Sequence, residues 1–97
     1  MPRQIKWSTR AILEWVEILE YWTDRDKSNL YSLKLDQLFK ETFDLVTELP
    51  ELGIPANYPL VRIKIVRDYM IYYRTQSESI EILAIWDTRR NPKKFKL

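Results

Sequence analysis

Between residues 61 and 87 the chain alternates apolar and polar positions in three successive runs, each the length of a strand. Val61, Ile63 and Ile65 alternate with Arg62, Lys64 and Val66, giving one apolar face and one that begins cationic. Arg67-Asp68 breaks the pattern. The run through Tyr69-Met70-Ile71-Tyr72-Tyr73 to Thr75 is aromatic and β-branched, which suits a pleated surface, and it predicts a hairpin partner for the first. The connecting pair lacks the Gly or Asn that a primed two-residue turn favours. Residues 76–79 make a second, polar turn. The third run then places Ile80, Ile82, Ala84 and Trp86 on one face and Leu83 with Ile85 on the other. Apolar on both faces towards its end, it is predicted to be internal and covered on both sides.

In the N-terminal half the period changes. Ile5 and Trp7 alternate with polar neighbours as a short opening strand, and Ser8 can cap a following helix by accepting from a free amide of its first turn. From residue 9 to about 24, Ile12, Trp15, Val16, Leu19 and Trp22 recur at helical spacing, with Leu13 and Ile18 widening the stripe. Ser28 is a second candidate cap. A second helix is predicted over residues 29–49, with Tyr31, Leu35, Leu38, Phe39, Thr42, Leu45, Val46 and Leu49 as its stripe. Pro50 ends it, having no amide to donate and a ring that clashes with the preceding turn. Residues 51–59, which hold the one glycine and two prolines just after Pro50, read as a loop. The order β-α-α-β-β-β predicts an α+β fold: a helical hairpin packed on one face of a four-stranded, mainly antiparallel sheet, with the opening strand at an edge of the meander.

Composition narrows the chemistry. The 97 residues suffice for one domain, 1–97, that buries roughly two-thirds of its unfolded surface and ends in a basic tail at 88–97. With neither cysteine nor histidine there are no disulfides, thiolate nucleophiles, His-based zinc sites or imidazole bases. No metal or cofactor is expected. No apolar run has the length of a membrane span and the start lacks signal-peptide organisation, so a cytoplasmic protein without a membrane partner is expected. Residues 1–51 carry seven Lys/Arg against ten Asp/Glu, whereas residues 52–97 carry nine against four. The basic half can attract nucleic acid or an acidic protein segment.

The β-α-α-β-β-β order, the Glu48-Leu49-Pro50-Glu51-Leu52-Gly53 turn, the Arg62 strand, the Tyr69-Met70-Ile71-Tyr72-Tyr73 strand and the Ile80-Glu81-Ile82-Leu83-Ala84-Ile85-Trp86-Asp87-Thr88-Arg89 ending together resemble the RelE/ParE superfamily of toxins from type II toxin–antitoxin systems. The resemblance covers nearly the whole chain, and the Arg after the last strand is similar to the ParE-like branch. It implies a bacterial toxin, of the kind that stabilises plasmids and arrests growth, neutralised by a cognate antitoxin. ParE-like members inhibit DNA gyrase without cutting RNA; RelE-like members cut mRNA on the ribosome. A degenerate, non-toxic relative that only binds its antitoxin is a third class. Sequence-specific DNA contact by this chain itself is not expected.

Residue chemistry bears on the choice. Metal-free RNA cleavage needs a base for the 2′-hydroxyl, cations for the phosphate and an acid for the leaving oxygen. Arg62, Lys64, Arg89 and Arg90 could supply cations, and without histidine the base would fall to a lysine or to Glu81 or Asp87. The tail also lacks the tyrosine that RelE-like enzymes carry near their C-terminus. The expectation is therefore a binding toxin, using Arg62, Lys64, Tyr72, Trp86, Arg89, Arg90, Lys93, Lys94 and Phe95 towards partner or target. If instead the protein is a nuclease, Arg62, Lys64 and Arg89 are its candidate catalytic groups. Each also has an ordinary structural reading: strand cations on a solvated face, tyrosines and Trp86 as packing residues, Asp87 paired with an arginine. Phe95 and Leu97 give the tail apolar anchors, which favours docking on an acidic partner over fraying.

Overall fold

Ser8 sets the first boundary as its sequence position predicts. Its Oγ accepts from Ala11 N at 3.0 Å and donates to Leu83 O at 2.9 Å, so one hydroxyl caps a helix and ties it to a strand. The computed structural model describes residues 3–97. In chain order the elements are β1 (Gln4–Trp7), α1 (Thr9–Asp26), α2 (Leu30–Glu48), β2 (Ile54–Pro55), β3 (Val61–Val66), β4 (Tyr69–Thr75) and β5 (Ser79–Asp87), followed by a 3-10 turn at Pro92–Lys94. Lys27 closes α1 in the left-handed region at φ 54°. Asn29, not Ser28, is the N-cap of α2, and Ser28 Oγ accepts from Leu30 N at 3.2 Å.

The α+β architecture is the expected one, with two helices on a mixed sheet, but the sheet has five strands in the order β1-β5-β4-β3-β2. The extra strand is two residues long, pairing Ile54 with Ile63 and Pro55 with Arg62 in the segment expected to be loop. Proline fits there because an edge strand can lack a donor on its solvent side. β1 lies parallel to β5 and the other pairings are antiparallel. β5 is internal, as its two apolar faces predict.

One local irregularity reassigns the faces of β5. Tyr73 pairs with Ile82 and Tyr72 with Ala84, so Leu83 is a bulged residue with no opposite number. Strict alternation, which put Ile80, Ile82, Ala84 and Trp86 on one face, therefore fails at Leu83. Ile80, Ile82 and Ile85 enter the core beneath the helices, and Ala84 and Trp86 enter a second cluster on the other face.

The helix stripes are also rotated from those expected. Ala11, Trp15, Ile18 and Trp22 face the sheet, whereas Ile12 and Val16 are 47% and 43% exposed. On α2 the buried line is Leu35, Phe39, Phe43 and Val46, with Leu45 and Leu49 exposed. Aromatic pairs knit this layer: Trp15 stacks on Phe39 at 4.3 Å, and Trp7 meets Phe43 edge-on at 5.1 Å.

Candidate functional site

Which side of the sheet each candidate residue occupies follows from register, because directly opposed residues in an antiparallel ladder share a face. Arg62 lies opposite Tyr73 and Lys64 opposite Ile71, and both partners belong to the helix-covered core. These two cations therefore sit on the helix side of β3, not on a wholly solvated face. Val61 and Ile63 take the open face. Alternation revealed that β3 has two unlike faces; nothing local to β3 says which one the helices cover.

Arg62 is engaged. Its Nη1 donates to Gly53 O at 2.7 Å and to Glu51 O at 3.4 Å, bracing the turn after α2. The same turn is held by Tyr73, whose hydroxyl donates to Pro50 O and accepts from Gly53 N, both at 2.8 Å. Burial pushes the Tyr73 phenol above its ordinary value, partly offset by the Gly53 amide. A cleft of about 880 Å³ opens beside this turn, with Leu52, Tyr58 and Arg62 among its walls.

Arg89 is committed at the far end of the sheet. Its Nε and Nη2 grip Asp87 at 2.9 and 2.7 Å, its backbone N adds a 2.9 Å bond to the same carboxylate, and its guanidinium lies 5.6 Å from the Trp22 ring centroid. The Arg89 hydrogen bond holds the Asp87 carboxyl below its ordinary value despite partial burial, which makes it a poorer base. Arg89 is held correspondingly above its own ordinary value, first by that hydrogen bond. Asp87 is opposite Tyr69, four residues along β4 from the partner of Arg62. At about 3.3 Å per residue that is roughly 13 Å of strand, with the two side chains tied to different elements. Glu81, the other candidate base, pairs with Arg74 at 2.5 Å.

The open face gathers the remaining candidates. Phe95 stacks on Tyr72 with centroids 4.1 Å apart and planes at 13°, and it meets Trp86 edge-on at 5.2 Å and Tyr58 at 6.4 Å. Arg90 covers the Trp86 ring at 4.3 Å. Arg10, from the first turn of α1, lies 5.0 Å over Phe95 and donates to Lys96 O. The tail therefore docks on its own sheet. Lys93 and Lys94 lie exposed on its 3-10 turn, which Asn91 caps by accepting from Lys93 N at 3.0 Å. Trp86 is 6% exposed, and its Nε1 is buried without a partner among the described residues. Burial also raises the Tyr72 phenol.

Two residues that sequence reasoning passed over shape this face. Glu14 reaches from α1 to accept from Ile85 N at 2.9 Å, on the edge of β5 that β1 is too short to cover. Arg10 pairs with Glu14 at 3.3 Å while holding the tail. Their spacing of four is the only signal in the sequence, and pairs at that spacing are ordinary on solvated helix surfaces.

A family model described as the ParE toxin of type II toxin–antitoxin systems, parDE, matches residues 5–92. Among solved structures, the chain is similar to one titled as the chromosomal ParDE toxin–antitoxin system from P. aeruginosa, at 20% sequence identity and a TM-score of 0.74, covering 88% of this chain and 95% of that one. No curated protein matches the chain in sequence.

Proposed function

Because the chain belongs to the ParE toxin family of type II toxin–antitoxin systems, and membership brings an antitoxin partner, we propose that it arrests growth by binding DNA gyrase and not by cutting RNA. One observation carries this reading. The residues that would serve a scissile phosphate, Arg62, Lys64 and Arg89, lie on the helix side of the sheet, and both arginines are bound to structural partners. The open face instead carries the docked tail: Phe95 covers the buried rings of Tyr72 and Trp86 and is flanked by Arg10 and Arg90, with Lys93 and Lys94 exposed beside it. Aromatic and arginine side chains at the centre of a patch are the residues that anchor protein interfaces. A carboxylate clamped by Arg89 and another paired to Arg74 supply no free base.

The expected mode is occupation of a gyrase surface by this aromatic and cationic face, with the tail as part of the contact. The test is a supercoiling assay with toxin freed of its antitoxin. Inhibition that weakens for Arg90→Glu with Lys93→Glu, while message ends stay intact in translating cells, supports the reading. Unchanged supercoiling at high molar excess refutes it.

A further inference from the structure

The cleft of about 880 Å³ beside the turn after α2 is bordered by Leu60, the residue there that the fold explains least. Leu60 holds a left-handed backbone at φ 64° and is 80% exposed. It closes the β2–β3 connection, in which Ala56 N donates to Val61 O at 2.9 Å and Val61 N to Tyr58 O at 3.2 Å. Glycine is the residue that takes such a backbone angle without strain. A leucine is strained there, and in the lone chain its side chain recovers little by burial. We propose that the cleft is the contact surface for a second copy of this chain, related by a two-fold axis, with Leu60 of each copy seated in the cleft of the other. The contact depends neither on gyrase as the target nor on the antitoxin.

Three observations favour a second copy over another partner. Leu49 and Leu52 line the same cleft and are also exposed, so three leucines surround one concavity, as at an interaction surface. The charge of the lining is balanced and separated. Glu48 and Glu51 come from the end of α2 and the turn after it, whereas Arg3 precedes β1 and Arg62 lies on β3. Among the described residues no ion pair joins these acids to either arginine. A patch that holds both signs apart complements its own copy when turned through 180°, the condition for an isologous contact. An acidic partner or a nucleic acid would instead be drawn to residues 88–97, which carry five cations and no acid. Finally, Pro55 deprives the edge strand β2 of one of its two amide donors, which blunts the pairing of a further strand and leaves side chains to make the contact.

The test is sedimentation velocity of the full toxin, freed of its antitoxin, over a range of concentrations. A monomer–dimer equilibrium is expected, and Leu60→Gly should raise its dissociation constant at least tenfold while the thermal midpoint measured at dilution stays level or rises. Arg3→Glu, and the double variant Glu48→Arg with Glu51→Arg, should each be monomeric alone at low salt and dimerise when mixed, because only the mixture sets unlike charges across the axis. A toxin that stays monomeric at every concentration, a mixture that fails to pair, or a midpoint that falls with Leu60→Gly overturns the proposal. So does a monomer whose binding of antitoxin or gyrase weakens with Leu60→Gly, since the cleft would then belong to that partner.

Discussion

Replacing Tyr73 by phenylalanine removes a single oxygen from the buried joint between α2 and the sheet. Tyr73 is 1% exposed, and its ring packs identically as phenylalanine, so no cavity is created and the cost isolates the hydroxyl. Two bonds disappear. The one from Gly53 N is buried, so that amide is left without an acceptor, a loss of about 1–3 kcal/mol. The one to Pro50 O is partly buried and water can replace it, so it adds roughly 0.5 kcal/mol. Together they predict about 2 kcal/mol, which lowers the thermal midpoint by roughly 8–16 °C for a domain of this size. Urea unfolding, followed by far-UV circular dichroism, should show an earlier midpoint with an unchanged slope. Gly53→Ala supplies an internal control. A Cβ there would lie 2.6 Å from the Tyr73 hydroxyl and 2.7 Å from Ile63 O, so glycine is demanded by close approach, not by its backbone angles. Removing the hydroxyl relieves one of those clashes, so the double variant should lose less than the sum of the two singles. A Tyr73→Phe protein within 0.5 kcal/mol of the parent, in the scale of ordinary surface substitutions, would show that the hydroxyl does not hold the turn.

Glu14→Ala should cost about 1–2 kcal/mol by stranding the Ile85 amide, and Glu14→Gln, which keeps an acceptor, should recover most of it; equal losses in chemical denaturation would refute the strand-edge role. Phe95→Ala should undock the tail, visible as red-shifted tryptophan emission and faster proteolysis after residue 90, with weaker gyrase inhibition; unchanged proteolysis would count against docking. The phenols of Tyr69, Tyr72 and Tyr73 are each raised by burial, so the folded state favours their protonated form. Their stabilisation is complete below pH 10 and is lost as pH rises through the elevated folded values, and a spectrophotometric titration in which all six tyrosines ionise together near pH 10 without unfolding would contradict this. Asp87 works in the opposite direction, stabilising above its unfolded value and failing as pH falls; Asp87→Asn should flatten the acid limb of the stability curve, and an unaltered acid limb would exclude a contribution from this pair.

The element order, the Ser8 cap, the internal position of β5 and the packing role of Trp15 and Trp22 could all be read from spacing, because each depends on residues within one or two turns of one another. Three features could not. The two-residue β2 exists only because Val61 and its neighbours provide a ladder to join, and a segment so short has no period of its own. The α1 stripe was misplaced by about one position because Ala11, fully buried, is too small to mark a core in sequence. Phe95 reads as an anchor without an address: its partners Tyr72, Tyr58 and Arg10 are between 23 and 85 residues away, and only the fold brings them together.

The bulge at Leu83 explains why the two faces of this sheet are not independent. One strand serves two cores, Ile82 and Ile85 on the helix side and Ala84 and Trp86 on the other, and a regular strand with this sequence would send Ala84 and Trp86 beneath the helices. The irregular stretch lies where β1 has already ended, so its edge must be satisfied by something else. α1 does this, with Ser8 N donating to Ile82 O, Ser8 Oγ to Leu83 O, and Glu14 accepting from Ile85 N. Between those two residues on the same helix, Arg10 joins Glu14 to the docked tail. The first turns of α1 thus fix the bulge, the bulge directs Trp86 to the open face, and Arg10 holds Phe95 down upon it.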